Sequence, residues 1–222
     1  MGLSEFPNYD ASISARLASA VDRLVDEFGG LYTREQVRTV VDESAQQLGR
    51  GSVSPFVPVL AERFARERLR SQAVAEGRVE KEAPEVLFVS LTGGGRAQIG
   101  AALLARRAGD AATVHSAGSE RVGEIDPNVR LAMEEIGIDL SDAFTKPLTP
   151  EVLAGADIVV TMGRSVGEVD LPGSVHHLDW RVGDPAGAEL DEVRRVRDDI
   201  ERRIDAFAAE LLGHGQAVAA AD

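Results

Sequence analysis

The chain contains no cysteine. Counting alone therefore excludes a disulfide scaffold, a cysteine-based zinc site and any thiol nucleophile. Histidine is sparse as well: His115, His176, His177 and His214 are scattered. Neighbours on a strand point to opposite faces, so the adjacent pair cannot serve one metal, and no metal site or other cofactor is expected. No apolar run reaches the length of a membrane span, and the N-terminal "MGLSEFPNYDASIS" lacks a basic stretch followed by an apolar one. A cytoplasmic protein without membrane contact is the expectation. A broad positive field is also missing. Residues 1–75 carry 9 basic against 10 acidic side chains, whereas residues 76–222 carry 15 against 27, so nearly all of the net −13 lies in the second part. That balance argues against a nucleic-acid or anionic-membrane binder but leaves room for one local positive pocket.

The first part reads as helices. Leu17, Val21, Leu24, Val25 and Phe28 recur at helical spacing between Ser12 and Phe28, and Gly29-Gly30 stops the run. Thr33 opens "TREQ", a capping box with Gln36 at the reciprocal position, ahead of Val37, Val40, Val41 and Leu48. A third helix carries Phe56, Val57, Leu60, Phe64 and Leu69. These predict a three-helix bundle over residues 1–72 and a polar linker over 73–83 that ends at Pro84.

The pattern changes after Pro84. Apolar runs at 86–90, 112–118, 156–163 and 174–180 alternate with helical segments near 97–108, 127–136, 149–154 and 189–212. This alternation predicts an α/β domain over 84–214, a four-stranded parallel sheet with helices on both faces, followed by a flexible tail at 215–222. Trp180 reads as a core or rim aromatic, and "RRVRDDIERR" as a solvated helix face whose acids interleave with its bases.

Within that domain, "VLFVSLTGGGRAQIG" reads as a strand, a glycine turn and a helix start. Free N–H groups and the helix dipole converge at such a junction and form an anion cradle. Neither common nucleotide motif fits, because no lysine follows the glycines and no G-x-G-x-x-G is present. What remains is Ser90, then Leu91, Thr92, Gly93, Gly94 and Gly95, then Arg96. The loop N–H groups and Arg96 would surround a tetrahedral oxyanion, with the guanidinium gripping two oxygens. Further on, "DWRVGDPAG" sets Asp184 before Pro185 in a loop suited to a general acid, while Lys146 before Pro147 reads as a surface lysine.

These features resemble the low-molecular-weight protein tyrosine phosphatase superfamily, and most of all its thioredoxin- or mycothiol-coupled arsenate reductase branch. The resemblance covers about Val86 to Leu212. It rests on the loop ending at Arg96, "HSAGSE", "IDPNVRLAMEEIGIDLSDAFTKPLT", "ADIVVTMG" and "DWRVGDPAG" before a long helix. The first 70 residues resemble the helical domain that some actinobacterial members carry in front. In the family the loop runs from a cysteine to an arginine, usually with an asparagine inside it and a serine after it. Those positions here are Ser90, Gly93 and Ala97, whereas Arg96 and Asp184 match the anion clamp and general acid. Relay cysteines of the reductases are missing too, with Arg164 and Glu168 near their places in "TMGRSVGEVD".

A thiolate works in such a cradle because the cradle brings its pKa into the neutral range. A serine hydroxyl starts many units higher and needs an adjacent base. His115 is the nearest candidate by strand adjacency, although a histidine beside "SAG" also fits a structural role. Three readings stay open. The first is a degenerate, non-catalytic member that binds a phosphate- or arsenate-like oxyanion, or another anionic ligand, between Ser90 and Arg96. The second is a phosphatase or other hydrolase that uses Ser90 or water, with Asp184 as acid. The third is an interaction module with an empty pocket, dimerising through the helical domain.

Overall fold

The computed structural model describes residues 6, 8–49, 54–120, 124–163 and 169–219. It divides into two compact units, one of residues 1–80 with 149–155, the other of 81–148 with 156–222.

The first unit contains α1 (Ala11–Glu27), α2 (Arg34–Gly49) and α3 (Val57–Ala75). Each start has a local cause. Asp10 caps α1 by accepting hydrogen bonds from the Ser12 and Ile13 N–H groups, both at 2.9 Å. At α2 the capping box forms: the Thr33 N–H donates to Gln36 Oε1 at 2.8 Å and the Gln36 N–H to Thr33 Oγ1 at 3.3 Å. The three helices close around Leu17, Val21, Leu24, Val37, Val41 and Leu69. Phe56 departs from the expected core pattern. It sits at the N-cap position of α3, without a capping side-chain hydrogen bond, instead of lying inside the apolar stripe, and it is 66% exposed. Helix α3 runs on to Ala75, with Ala73 buried.

The second unit is built on β1 (Glu85–Ser90), β2 (Thr113–Gly118), β3 (Ile158–Met162) and β4 (His176–Trp180). They form one parallel sheet in the order β2-β1-β3-β4. β1 is central and buried along its whole length, which explains its unbroken apolar run. Helices α4 (Arg96–Ala108), α5 (Pro127–Glu134) and α7 (Leu190–Ala219) share one core with Val86, Phe88, Val160 and Met162. Trp180 belongs to that core, edge-on to Phe88 and Phe207. The charged run of α7 pairs with nearby acids, as between Arg194 and Asp191 or Arg202 and Asp199.

The remaining helix, α6 (Pro150–Gly155), joins the first unit although it lies between β2 and β3 in sequence. From β1 the chain crosses to β2 on one side, then returns past β1 to β3 on the other. The carboxyl ends of β1 and β3 therefore flank the switch point at which open α/β sheets hold ligands. Ser90 ends β1 at that place.

Candidate functional site

The loop after β1 turns through Gly93, whose φ of +70° lies in the left-handed region that glycine adopts without strain. A Cβ there would also lie 2.8 Å from the Gly118 nitrogen at the end of β2. Gly95 starts α4 without any side-chain cap, so the first turn of that helix opens toward the loop. Among the described residues, the N–H groups of Thr92, Gly93 and Gly95 have no hydrogen-bond partner, and that of Gly94 reaches Thr92 Oγ1 only at 3.4 Å. The loop thus has the donors that an anion needs.

Arg96 is buried in the first turn of α4, its side chain 5% exposed. Its guanidinium passes over Gly163, the residue after β3. A Cβ at Gly163 would sit 1.9 Å from Nη1, so glycine there is what lets the arginine lie across the switch point. Arg96 Nη2 donates to Asp184 Oδ2 at 3.1 Å. Asp184 Oδ1 in turn accepts from the Ala186 N–H at 3.2 Å. The two predicted ends of the site, loop arginine and distant aspartate, meet across 88 residues of chain.

Together these groups line a cleft of ≈ 300 Å³. Ser90, Thr92, Gly94, Gly95 and Arg96 line it from the loop and the start of α4, together with Glu124, Asp126, Asp184 and Ala186 from later in the chain. Leu91 and Gly93 belong to the loop but not to the lining. Asp126 ties the later segments together. One of its oxygens accepts from the Asn128 N–H at 2.8 Å, capping α5, and the other from the Gly187 N–H at 2.9 Å. Neither Glu124, Asp126 nor Gly163 was picked out by the sequence reading. An aspartate directly before Pro127 is an N-cap signature and was the available clue for Asp126.

Ser90 is 2% exposed, and among the described residues its Oγ has no hydrogen-bond partner. His115 does not serve it. β1 and β2 are neighbours, but the register places His115 beside Leu87, three residues short of Ser90. Its Nε2 instead meets Glu85 Oε2 at 2.6 Å at the opposite end of the strand. The serine–histidine couple is therefore not formed, because strand adjacency does not set which residues stand level. Lys146 is also away from the cleft lining, with its ammonium over the Phe144 ring and its carbonyl accepting from the Gly118 N–H. Arg164 and Glu168 lie outside the described residues. No group of three potential metal ligands occurs among the described residues, and no described helix is long and apolar enough to cross a membrane.

Residues 85–217 match the model of the low molecular weight phosphotyrosine protein phosphatase family. Residues 17–75 match that of the protein-tyrosine-phosphatase-like N-terminal domain. An arsenate reductase of Brevibacillus brevis is 39% identical over 115 residues, which is 51% of this chain and 85% of the relative. The solved structure of a thioredoxin-dependent arsenate reductase from Corynebacterium glutamicum aligns with a TM-score of 0.79 and 35% identity. That alignment covers 88% of this chain and 96% of the other. A structure described as an arsenate reductase in the phosphate binding state aligns with a TM-score of 0.52 and 26% identity, over 58% of this chain and 98% of the other.

Proposed function

The chain belongs to the low molecular weight phosphotyrosine protein phosphatase family, and we propose that it binds a phosphate- or arsenate-like oxyanion between Ser90 and Arg96 without turning it over. The carrying observation is the contrast within one cleft. Arg96 and the loop N–H groups face an open space, while the residue in the nucleophile's place is a buried serine with no partner among the described residues to take its proton. Relatives are named arsenate reductases, but reduction through thiol–disulfide exchange needs cysteine thiols, and this chain has no cysteine. The anion would enter along the α4 axis, take hydrogen bonds from residues 91–96 and share Arg96 with, or take it from, Asp184.

A second reading has one observation in its favour. Asp184 stands in the cleft on Arg96, where an acid for phosphate-ester cleavage would be needed. In that case Ser90 or a water is the nucleophile. Titration calorimetry with phosphate, sulfate and arsenate, run beside a p-nitrophenyl phosphate assay, separates the two. Saturable anion binding without hydrolysis supports the binding reading. Turnover that disappears in Ser90→Ala establishes the hydrolase. Absence of binding at millimolar anion, in Arg96→Ala and the parent alike, sinks the binding reading and returns weight to an interaction module built on the helical unit.

A further inference from the structure

Among the described residues, the lining of the cleft that holds the anion donors is acidic on balance. It has one cation, Arg96, against three carboxylates, Glu124, Asp126 and Asp184. The three are not equivalent. Asp126 has both oxygens on backbone N–H groups, and Asp184 is held by Arg96 and the Ala186 N–H. Glu124 is exposed, and among the described residues its carboxylate has no ion-pair or hydrogen-bond partner. It is nevertheless fixed beside the loop. Its backbone oxygen packs so closely on Gly94 that a Cβ there would lie 2.3 Å away.

A dianion that enters this cleft meets two adverse effects. It must compete with Asp184 for Arg96, and once it succeeds Asp184 joins Glu124 and Asp126 as a carboxylate without a cation among the described residues. A ligand that brings a positive charge a few atoms from its phosphate answers both. An ammonium group on such a ligand would face Glu124 and the released Asp184 while the phosphate occupies the loop. Aromatic recognition has little support here, since among the described residues the apolar side chains of the lining are Ile125, Pro127 and Ala186, with no ring other than the proline.

We propose that the cleft selects phosphomonoesters bearing a nearby ammonium group, with Glu124 as the residue that sets this preference. The inference rests on the anion-binding reading above. Its test is calorimetric titration of the full chain with inorganic phosphate, phenyl phosphate and O-phosphoethanolamine at low salt, repeated on Glu124→Gln. An exposed charge pair is worth up to about fivefold in affinity. Phosphoethanolamine should therefore bind about three- to fivefold more tightly than phenyl phosphate. In Glu124→Gln that margin should close while inorganic phosphate binds slightly better. Raising the ionic strength should narrow it in the parent protein. Equal or tighter binding of phenyl phosphate, or a margin unchanged in Glu124→Gln, overturns the proposed selectivity while inorganic phosphate binding keeps the anion site intact. Failure of all three compounds to bind overturns the anion site itself and the selectivity with it. Because Glu124 is exposed, the variant should melt like the parent, which a thermal scan verifies.

Discussion

Two arginines in this protein are buried to the same degree, with side chains 5% exposed, and both meet carboxylates. Their settings differ in how much of each guanidinium the fold has already committed. Arg68, on α3, gives Nη2 to Glu43 at 2.7 Å and to Glu151 at 2.8 Å, and Nη1 to Ser44 Oγ at 3.3 Å. It joins α2, α3 and α6 within the helical unit. Among the described residues, Arg96 has a single carboxylate partner at 3.1 Å, half exposed, and faces a cleft at the uncapped start of a helix. Burial alone does not tell these two settings apart. The number of built-in acceptors, and what lies in front of the group, does.

If that distinction holds, removing the two side chains should have opposite signatures. Arg68→Ala strands two carboxylates and should cost about 2–4 kcal/mol of stability, read from urea unfolding. Its effect on phosphate affinity should be minor by comparison. Arg96→Ala should reduce phosphate affinity at least about tenfold, since a charge-assisted bidentate contact is lost, while unfolding changes less than in Arg68→Ala. If Arg96→Ala instead unfolds the protein as severely as Arg68→Ala and binding is unaltered, the two arginines are both structural.

Smaller effects follow from the carboxylates. Asp184→Asn removes both a competitor for Arg96 and a negative charge, so phosphate should bind a few-fold more tightly. Weaker binding would mean that Asp184 orients Arg96 for the anion. In the helical unit, burial alone would raise the Glu151 carboxyl, but the hydrogen bond and charge of Arg68 hold it below the ordinary glutamate range. A carboxyl lowered by folding stabilises the native state above its unfolded pKa, and that contribution fades as pH falls through the lowered folded value. Glu151→Gln should therefore be less stable than the parent near pH 7, by about 1–2 kcal/mol. The gap should close on acidification below pH 4, as seen in melts across that range. A gap independent of pH would assign the loss to packing.

The sequence made the local chemistry of both regions readable and the non-local part unreadable. The Thr33–Gln36 box, the unbroken apolar run of β1 and the glycine turn into α4 are short-range patterns, and each formed where expected. The loop and Asp184 were recognisable because their residue types and order carry the family resemblance. Partner choice was not recognisable. The helical segment near 149–154 was evident, yet its place in the helical unit involves contacts distant in sequence, such as Glu151 with Arg68 across 83 residues. His115 was placed on the correct neighbouring strand but beside Leu87, since alternation fixes a strand's faces and not its register. Phe56 fitted a helical stripe and yet precedes the first residue of α3, exposed to solvent.

The central claim is that the oxyanion cradle remains while the means to attack its ligand is gone. Crystals soaked in arsenate test it directly, because arsenic can be located by its anomalous scattering. The account predicts one strong arsenic peak in the loop, within hydrogen-bond distance of Arg96 and the N–H groups between Thr92 and Gly95, with Ser90 unmodified. An empty loop at millimolar arsenate, or an anion held elsewhere with Arg96 still closed on Asp184, would contradict it.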